Sequence, residues 1–357
     1  MSNVTKSNAY NWAGGGPQSA MGTPLAAPTR LFKYKSFKGG AKKDTTDDEG
    51  HTGSRNKLQG VDVTGGSSAP NIEDVIRPDE IIGDLIRGLL GSCDTSRWLT
   101  TAAYKHTFEE SEDGDLPPLG FFQGYNVGSG EDGKPKRFDD CIVSKMDFKF
   151  STKETPSFTA ETAGNLPIFG VTEPTLVYAT PRIPPLLAPQ LRVYWDPIGG
   201  EDPIGTTLMA GFMEGDVSVD NKIETDRDQD ADFGVTRKDM GGLELGGGFK
   251  RRHIDTDLQR QFITGSPTGT TPIETNEEGM LRYEVTGGMI KEASGTPTIY
   301  PYIFRLDILN AIITENEPTE EGDGPKTYDL KWKAIPDETN TSVSAFLQNK
   351  VTTYAPV

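Results

Sequence analysis

The chain is poor in cysteine, histidine, apolar residues and positive charge, and each shortage excludes something. Cysteine occurs twice in 357 residues, as Cys93 and Cys141. Two cysteines make no disulfide framework, so two free thiols in a reducing compartment are expected. Histidine occurs only as His51, His106 and His253. No two of them stand at i,i+4 and no cysteine lies nearby at ligand spacing, so no metal site or other cofactor is expected. Apolar residues make up 34%, below the usual ~45–50% even after allowing for the glycine in that average. No stretch approaches the ~20 apolar residues of a membrane-spanning helix. The first residues, Met1–Asn8, lack the apolar core of a signal peptide. The expectation is a chain folded in a cytoplasm with no membrane partner. Charge is one-sided: 36 Lys+Arg against 53 Asp+Glu give a net charge of −17. Gripping nucleic acid by neutralising phosphates needs a basic footprint, which this balance denies to most of the surface.

What the chain does have is turn chemistry and short alternating runs. Gly (41) and Pro (25) together are roughly 18% of residues, above the average of about 12%. Many short strands joined by turns and loops fit that composition, and the length suits two domains. One helix is expected over Pro78–Leu90, with Pro78 at its first position and Asp79 and Glu80 at the positive end of its dipole. Ile81, Ile82, Leu85, Ile86, Leu89 and Leu90 form its apolar stripe and Gly91 its stop. Period-2 alternation marks strands at 121–127, 140–151, 157–162, 213–225, 281–285, 300–309 and, most cleanly, Tyr328–Ala334. A second short helix is expected near 255–262, with Leu258 and Phe262 inward. Pro181–Pro189 cannot be a central strand or a helix interior. The expected fold is mainly β: an extended N-terminal arm and loop over 1–60, a β domain over 61–183 with the helix 78–90, and a second β domain over 184–357. The halves look alike in organisation, but too weakly for sequence alone to make them a repeat.

No enzyme signature survives scrutiny. His106 lies in a strand-like run, Ala103–Phe108, and reads as a packed structural histidine. Gly128-Ser129-Gly130-Glu131-Asp132-Gly133 has the spacing of a dinucleotide loop, yet no helix follows it and two acids stand where a pyrophosphate would lie. Asp226–Gly234 superficially resembles a calcium loop, but Ala231 holds the position that needs Gly and Arg237 the one that needs Glu. Extended, it would set Asp226, Asp228, Asp230 and Asp232 on one face. The clusters Glu109–Asp113 and Glu320–Asp323 read as solvated loops.

The order of local motifs resembles the major tail tube proteins of long, non-contractile-tailed bacteriophages. The similar stretch starts at Gly22-Thr23-Pro24 and runs through Val63-Thr64-Gly65-Gly66 to the proline-led Arg77–Ile86. It continues with Tyr104–Phe108, Pro117-Pro118-Leu119 and Arg137–Met146, and closes on Ser342–Asn349. It spans most of residues 20–350, and no single motif in it is specific. The resemblance implies a β-sandwich or barrel with a short flanking helix in each of two tandem domains. It implies a structural, non-enzymatic virion protein of the tail, whose rings stack into a hollow tube through which double-stranded DNA passes without binding. A trimeric ring imitating six-fold symmetry suits the doubled length, six-fold rings of single domains being the alternative. Self-assembly, a tape-measure protein in the lumen, and tail-terminator and tail-tip proteins are the implied partners. Glu224, Asp226, Asp228, Asp230 and Asp232 become candidates for lumen or lumen-rim charge. The basic run Lys33, Lys35, Lys38, Lys42 and Lys43 becomes a candidate arm bridging stacked rings. The competing readings are another virion β-module (a decoration, tail-terminator or adhesin-like protein), a β-rich hydrolase, or a calcium-dependent module.

Overall fold

The structure, a computed structural model of the chain, describes residues 11–49, 58–111, 116–125, 134–172, 185–197, 204–226, 237–239, 241–253, 257–266, 268–272, 278–292, 297–319, 326–335 and 342–355. Its strands are β1 (Asn11–Pro17), β2 (Arg30–Phe32), β3 (Ser36–Glu49), β4 (Leu58–Val75), β5 (Asp94–Arg97), β6 (Tyr104–Glu109), β7 (Leu119–Tyr125), β8 (Lys136–Ser151) and β9 (Ser157–Ala163). They continue with β10 (Leu191–Pro197), β11 (Phe212–Asp220), β12 (Glu224–Asp226), β13 (Arg237–Asp239), β14 (Glu244–Arg252), β15 (Glu278–Lys291), β16 (Pro297–Thr319), β17 (Thr327–Ala334) and β18 (Val343–Asn349). The helices are α1 (Ile82–Leu90) and α2 (Asp257–Thr264). The protein is mainly β, with all its strand pairs antiparallel among the described residues.

The expected arm is folded in where it is described. Trp12, Ala13, Phe32 and Phe37 are buried in or beside the core, and β1 lies between β2 and β7. The glycine run of β1 looked like a tail because it carries no periodicity. It is there for close approach: a Cβ at Gly16 would overlap Thr29, and one at Gly15 would overlap the Phe121 ring. The helix is also shorter than expected. Residues 78–81 form a turn and α1 starts at Ile82. Asp79 and Glu80 are not helix-dipole partners: Asp79 accepts from the Lys350 N–H (2.8 Å) and the Tyr302 hydroxyl (3.0 Å), and Glu80 from the Lys33 N–H (3.0 Å). Gly91 ends the helix as expected, at a positive φ of +94° that favours glycine. On the buried side Asp84 pairs with Arg30, whose guanidinium lies over the Tyr354 ring.

The two halves repeat one hydrogen-bonding plan. In the first, β1 pairs β7, β7 pairs the front of β8, the hairpin β3–β4 pairs β9 through β4, and β9 pairs the back of β8. In the second, β10, β15, β16, the hairpin β11–β14 and β17 take the same places. A helix follows the hairpin in both halves. Even the irregularities recur. The break between Val143 and Lys145 reappears 170 residues on, between Ile313 and Glu315 (143 to 313, 145 to 315). The break between Leu119 and Phe121 reappears between Gly279 and Leu281, and Pro17 and Pro197 sit opposite these matching positions. A β-bulge bends its strand, and here it lets β8 and β16 leave one layer and enter the other.

The expected boundary at 183/184 lies outside the described residues, and the strands on either side of it are hydrogen-bonded together. β8 pairs β11 over Lys145–Ser151, and β6 pairs β18 over Tyr104–Glu109. The consequence is one continuous layer of eight strands in the order β3-β4-β9-β8-β11-β14-β17-β16. The other strands, apart from the separate ladder β12–β13, form a second layer against its apolar face. Phe37 packs on Phe121 and Phe138 at ring distances of 6.4 and 5.9 Å. Across the seam, Phe150 of β8 stacks on Tyr283 of β15 at 4.5 Å, and Phe148 lies 5.7 Å from Phe304 of β16. The buried apolar residues of both halves belong to one cluster. Unfolding is therefore expected in a single transition for both halves. Phe150→Ala should lower stability by about 3–5 kcal/mol while leaving one transition in urea denaturation. Two transitions, only one of them shifted, would contradict the shared core.

Candidate functional site

The eight-stranded layer has one apolar and one polar face, as period-2 strands require. Met146, Phe148 and Phe150 of β8 face the core, and Lys145, Asp147 and Lys149 face away. The polar face is hollowed into a groove of about 850 Å³ whose lining includes Asp147, Lys149, Asp216, Lys250, Asp329 and Lys331. Its charges are arranged in opposed pairs. Lys250 and Asp329 stand directly across from each other at 3.6 Å, and Lys331 and Glu315 at 2.6 Å. Lys145 lies 3.1 Å from Asp147. Each pair is partly exposed and stabilises the fold by only ~0.2–1 kcal/mol. Their larger effect is to occupy Lys145, Lys250 and Lys331 with protein carboxylates.

The acidic candidates lie apart from this groove where they are described. Glu224 is exposed at the start of β12, which with β13 continues the β11–β14 hairpin past the end of the layer. Asp226 ends β12, and Asp228, Asp230 and Asp232 lie outside the described residues. The described members of the candidate set are therefore at the rim, beyond the grooved face. The face itself carries both signs, because strand neighbours of opposite charge attract and like charges repel.

The lysine candidates divide in two. Lys35 is held to Glu73 at 2.8 Å, and the Lys33 backbone to Glu80. Lys38, Lys42 and Lys43 are exposed on β3. Among the described residues β3 pairs only β4, so these lysines line an open sheet edge and not a free arm. The opposite end of the layer is also open. Beyond Ile312, β16 pairs only β17, leaving the other side of Glu315–Thr319 without a strand among the described residues. Sequence reading missed this second edge. The expected strand 300–309 stops short of Thr314–Pro318, whose one signal was Pro318, a residue that sheets place on edges or at bulges. Asn316 turns its amide oxygen inward, buried and without a hydrogen-bond partner.

Groups that could do chemistry are engaged in structure. His106 is fully buried, Nε2 against Asn349 Oδ1 at 3.0 Å and Nδ1 against Thr95 Oγ1 at 2.9 Å. Burial pushes its pKa down to about 4. Cys93 and Cys141 are not joined, and burial pushes the Cys93 thiol up to about 11. Among the described residues, no group of three or more His, Cys, Asp or Glu is placed to hold a metal ion. Asp74 and Asp84 are raised to about 6, in both cases because burial outweighs the neighbouring arginine.

These shifts fix the sign of the pH response. The His106 ring is neutral in both states above pH ~6.5. As pH falls from there towards 4, the unfolded chain takes up the proton first and stability is lost. Asp74 and Asp84 act oppositely, holding protons in the fold below about pH 6 that the unfolded chain releases until about 4. Comparison with His106→Gln isolates the histidine. The variant should be less stable than the parent at pH 8, with the gap in Tm narrowing between pH 6.5 and 4. A gap independent of pH would contradict a neutral buried His106.

No protein-family model matches the chain, and no curated protein is similar to it in sequence.

Proposed function

We propose that this chain is a structural assembly protein that forms rings stacked into a hollow tube, of the tail-tube type its motif order resembles. The observation that carries the reading is the duplicated unit, whose two copies share one eight-stranded layer that ends in two open edges. A sheet edge offers unpaired N–H and C=O groups and pairs with another chain unless it is blocked. Joining such edges head to tail closes a barrel if the rotation closes. A ring of three chains would hold about 24 strands of the layer. At ~4.8 Å per strand that is a circumference of about 115 Å before tilt, and barrels of 16–18 strands already leave an aqueous channel.

The grooved polar face then lines the channel. Lys250 and Lys331 there are matched with carboxylates, and the chain carries a net charge of −17. Such a wall gives phosphates few uncompensated cations to bind, so double-stranded DNA passes without sticking. Tape-measure, terminator and tip proteins are the partners this reading calls for, the virion tail its place, and non-enzymatic its role.

Negative-stain electron microscopy of the purified chain over a concentration series tests it. Rings with three-fold or six-fold end views, or hollow filaments, are expected as concentration rises. Monodisperse closed particles that never stack, at any concentration, would instead favour a decoration or terminator protein.

A further inference from the structure

The chain contains one junction between equivalent units, and that junction specifies the junction between copies. β8 pairs β11 with Lys145 opposite Asp220, Asp147 opposite Ser218 and Lys149 opposite Asp216. The ladders identify the equivalent residues at the open edges. β16 follows β8 at an interval of 170, since Lys145 faces Glu161 as Glu315 faces Lys331. β3 corresponds to β11: Ser36 faces Glu73 as Glu214 faces Lys250, and those two residues face Thr159 and Asp329 on the equivalent strands β9 and β17. Lys38 therefore corresponds to Asp216, and Lys42 to Asp220.

We propose, resting on the ring reading, that β16 of one copy pairs antiparallel with β3 of a second copy in this internal register. Glu315 stands opposite Lys42, Glu317 opposite Gly40, and Thr319 opposite Lys38. Repeating the operation that carries the first unit to the second places the next copy there. The charges agree independently. Inside the chain, β8 contributes lysines and β11 aspartates. At the outer edges β16 contributes Glu315 and Glu317, and β3 contributes Lys38 and Lys42, all exposed. Opposite charges across an antiparallel pair stabilise it and like charges directly opposite destabilise it. Lys38 and Lys42 therefore disfavour pairing with the same stretch of a second β3, and Glu315 and Glu317 with the same stretch of a second β16, whereas the head-to-tail pairing sets unlike charges together. Lys331 already sits 2.6 Å from Glu315, so the carboxylate would lie between two lysines. Pro318 offers no N–H, so the seam has at most one donor fewer than the internal ladder. A proline there also blunts the bare edge against other strands.

The test uses the full chain in a Cys93→Ser background, with Lys42→Cys and Glu315→Cys on separate molecules. Directly opposed residues have Cα atoms ~4.5–5.5 Å apart, within the range a disulfide spans. Mixed and mildly oxidised at assembling concentration, the two variants should give a covalent dimer that neither gives alone. Lys42→Cys mixed with Glu317→Cys, two positions out of register, should cross-link far more slowly. Separately, Lys42→Glu should raise the concentration needed for assembly roughly tenfold, and Lys42→Glu with Glu315→Lys should restore it. Cross-linking of Glu315→Cys alone would overturn the head-to-tail pairing. Rings seen by microscopy without the mixed cross-link would overturn this register while leaving the ring reading intact. No assembly at any concentration would overturn both.

Discussion

A β-strand has two hydrogen-bonding sides, and the free energy of leaving one unpaired shapes this molecule. The β8–β11 ladder is where the chain meets that constraint internally. Without it, each half would expose the back of β8 or the front strand of a hairpin, and the apolar faces of Phe148 and Phe150 would lie uncovered at a sheet margin. With it, the aromatic contacts to Tyr283 and Phe304 cross the seam and the two halves share a core. Among the described residues the same constraint is left unmet at β3 and at the end of β16, the two margins of the eight-stranded layer, and the assembly reading follows from them.

Much of the fold was legible because burial leaves a period. The stripe of α1 and the alternation of β8, β9 and β17 follow directly from one face meeting a core. The element types were therefore readable, and so was the mainly-β class. The strand β1 was not, because its glycines serve backbone approach to Thr29 and Phe121 and carry no hydrophobic pattern. The bulge at Val143–Lys145 was also hidden: it shifts the buried set from 141–143 to 146, 148 and 150, which strict alternation cannot express.

The duplication was out of reach of sequence for a related reason. Equivalent positions share a place in a ladder, not a side chain. Leu119 answers to Gly279, and Gly39 to Val217. What recurs is where strands bend and which neighbour they bond, and that is visible only in the pairing. The candidate site was half legible. A run of lysines is conspicuous in an acidic chain, so the β3 edge was found, though as an arm. The acids singled out were the densest aspartate string, as lumen charge, whereas Glu315 and Glu317 stand beside a proline beyond the expected strand 300–309. Charge density drew attention to 226–232, whereas strand pairing responds to charge spaced by two along a strand.

Hydrogen–deuterium exchange of the free and assembled protein measures the central claim most directly. The amides of 145–151 and 214–220, on the internal seam, should be protected in both states. Those of 38–42 and 315–319 should exchange quickly in the free chain and become protected together on assembly, because each edge completes the other. Protection of one edge without the other, or fast exchange at both in the assembled protein, would contradict the pairing of copies through their sheet edges.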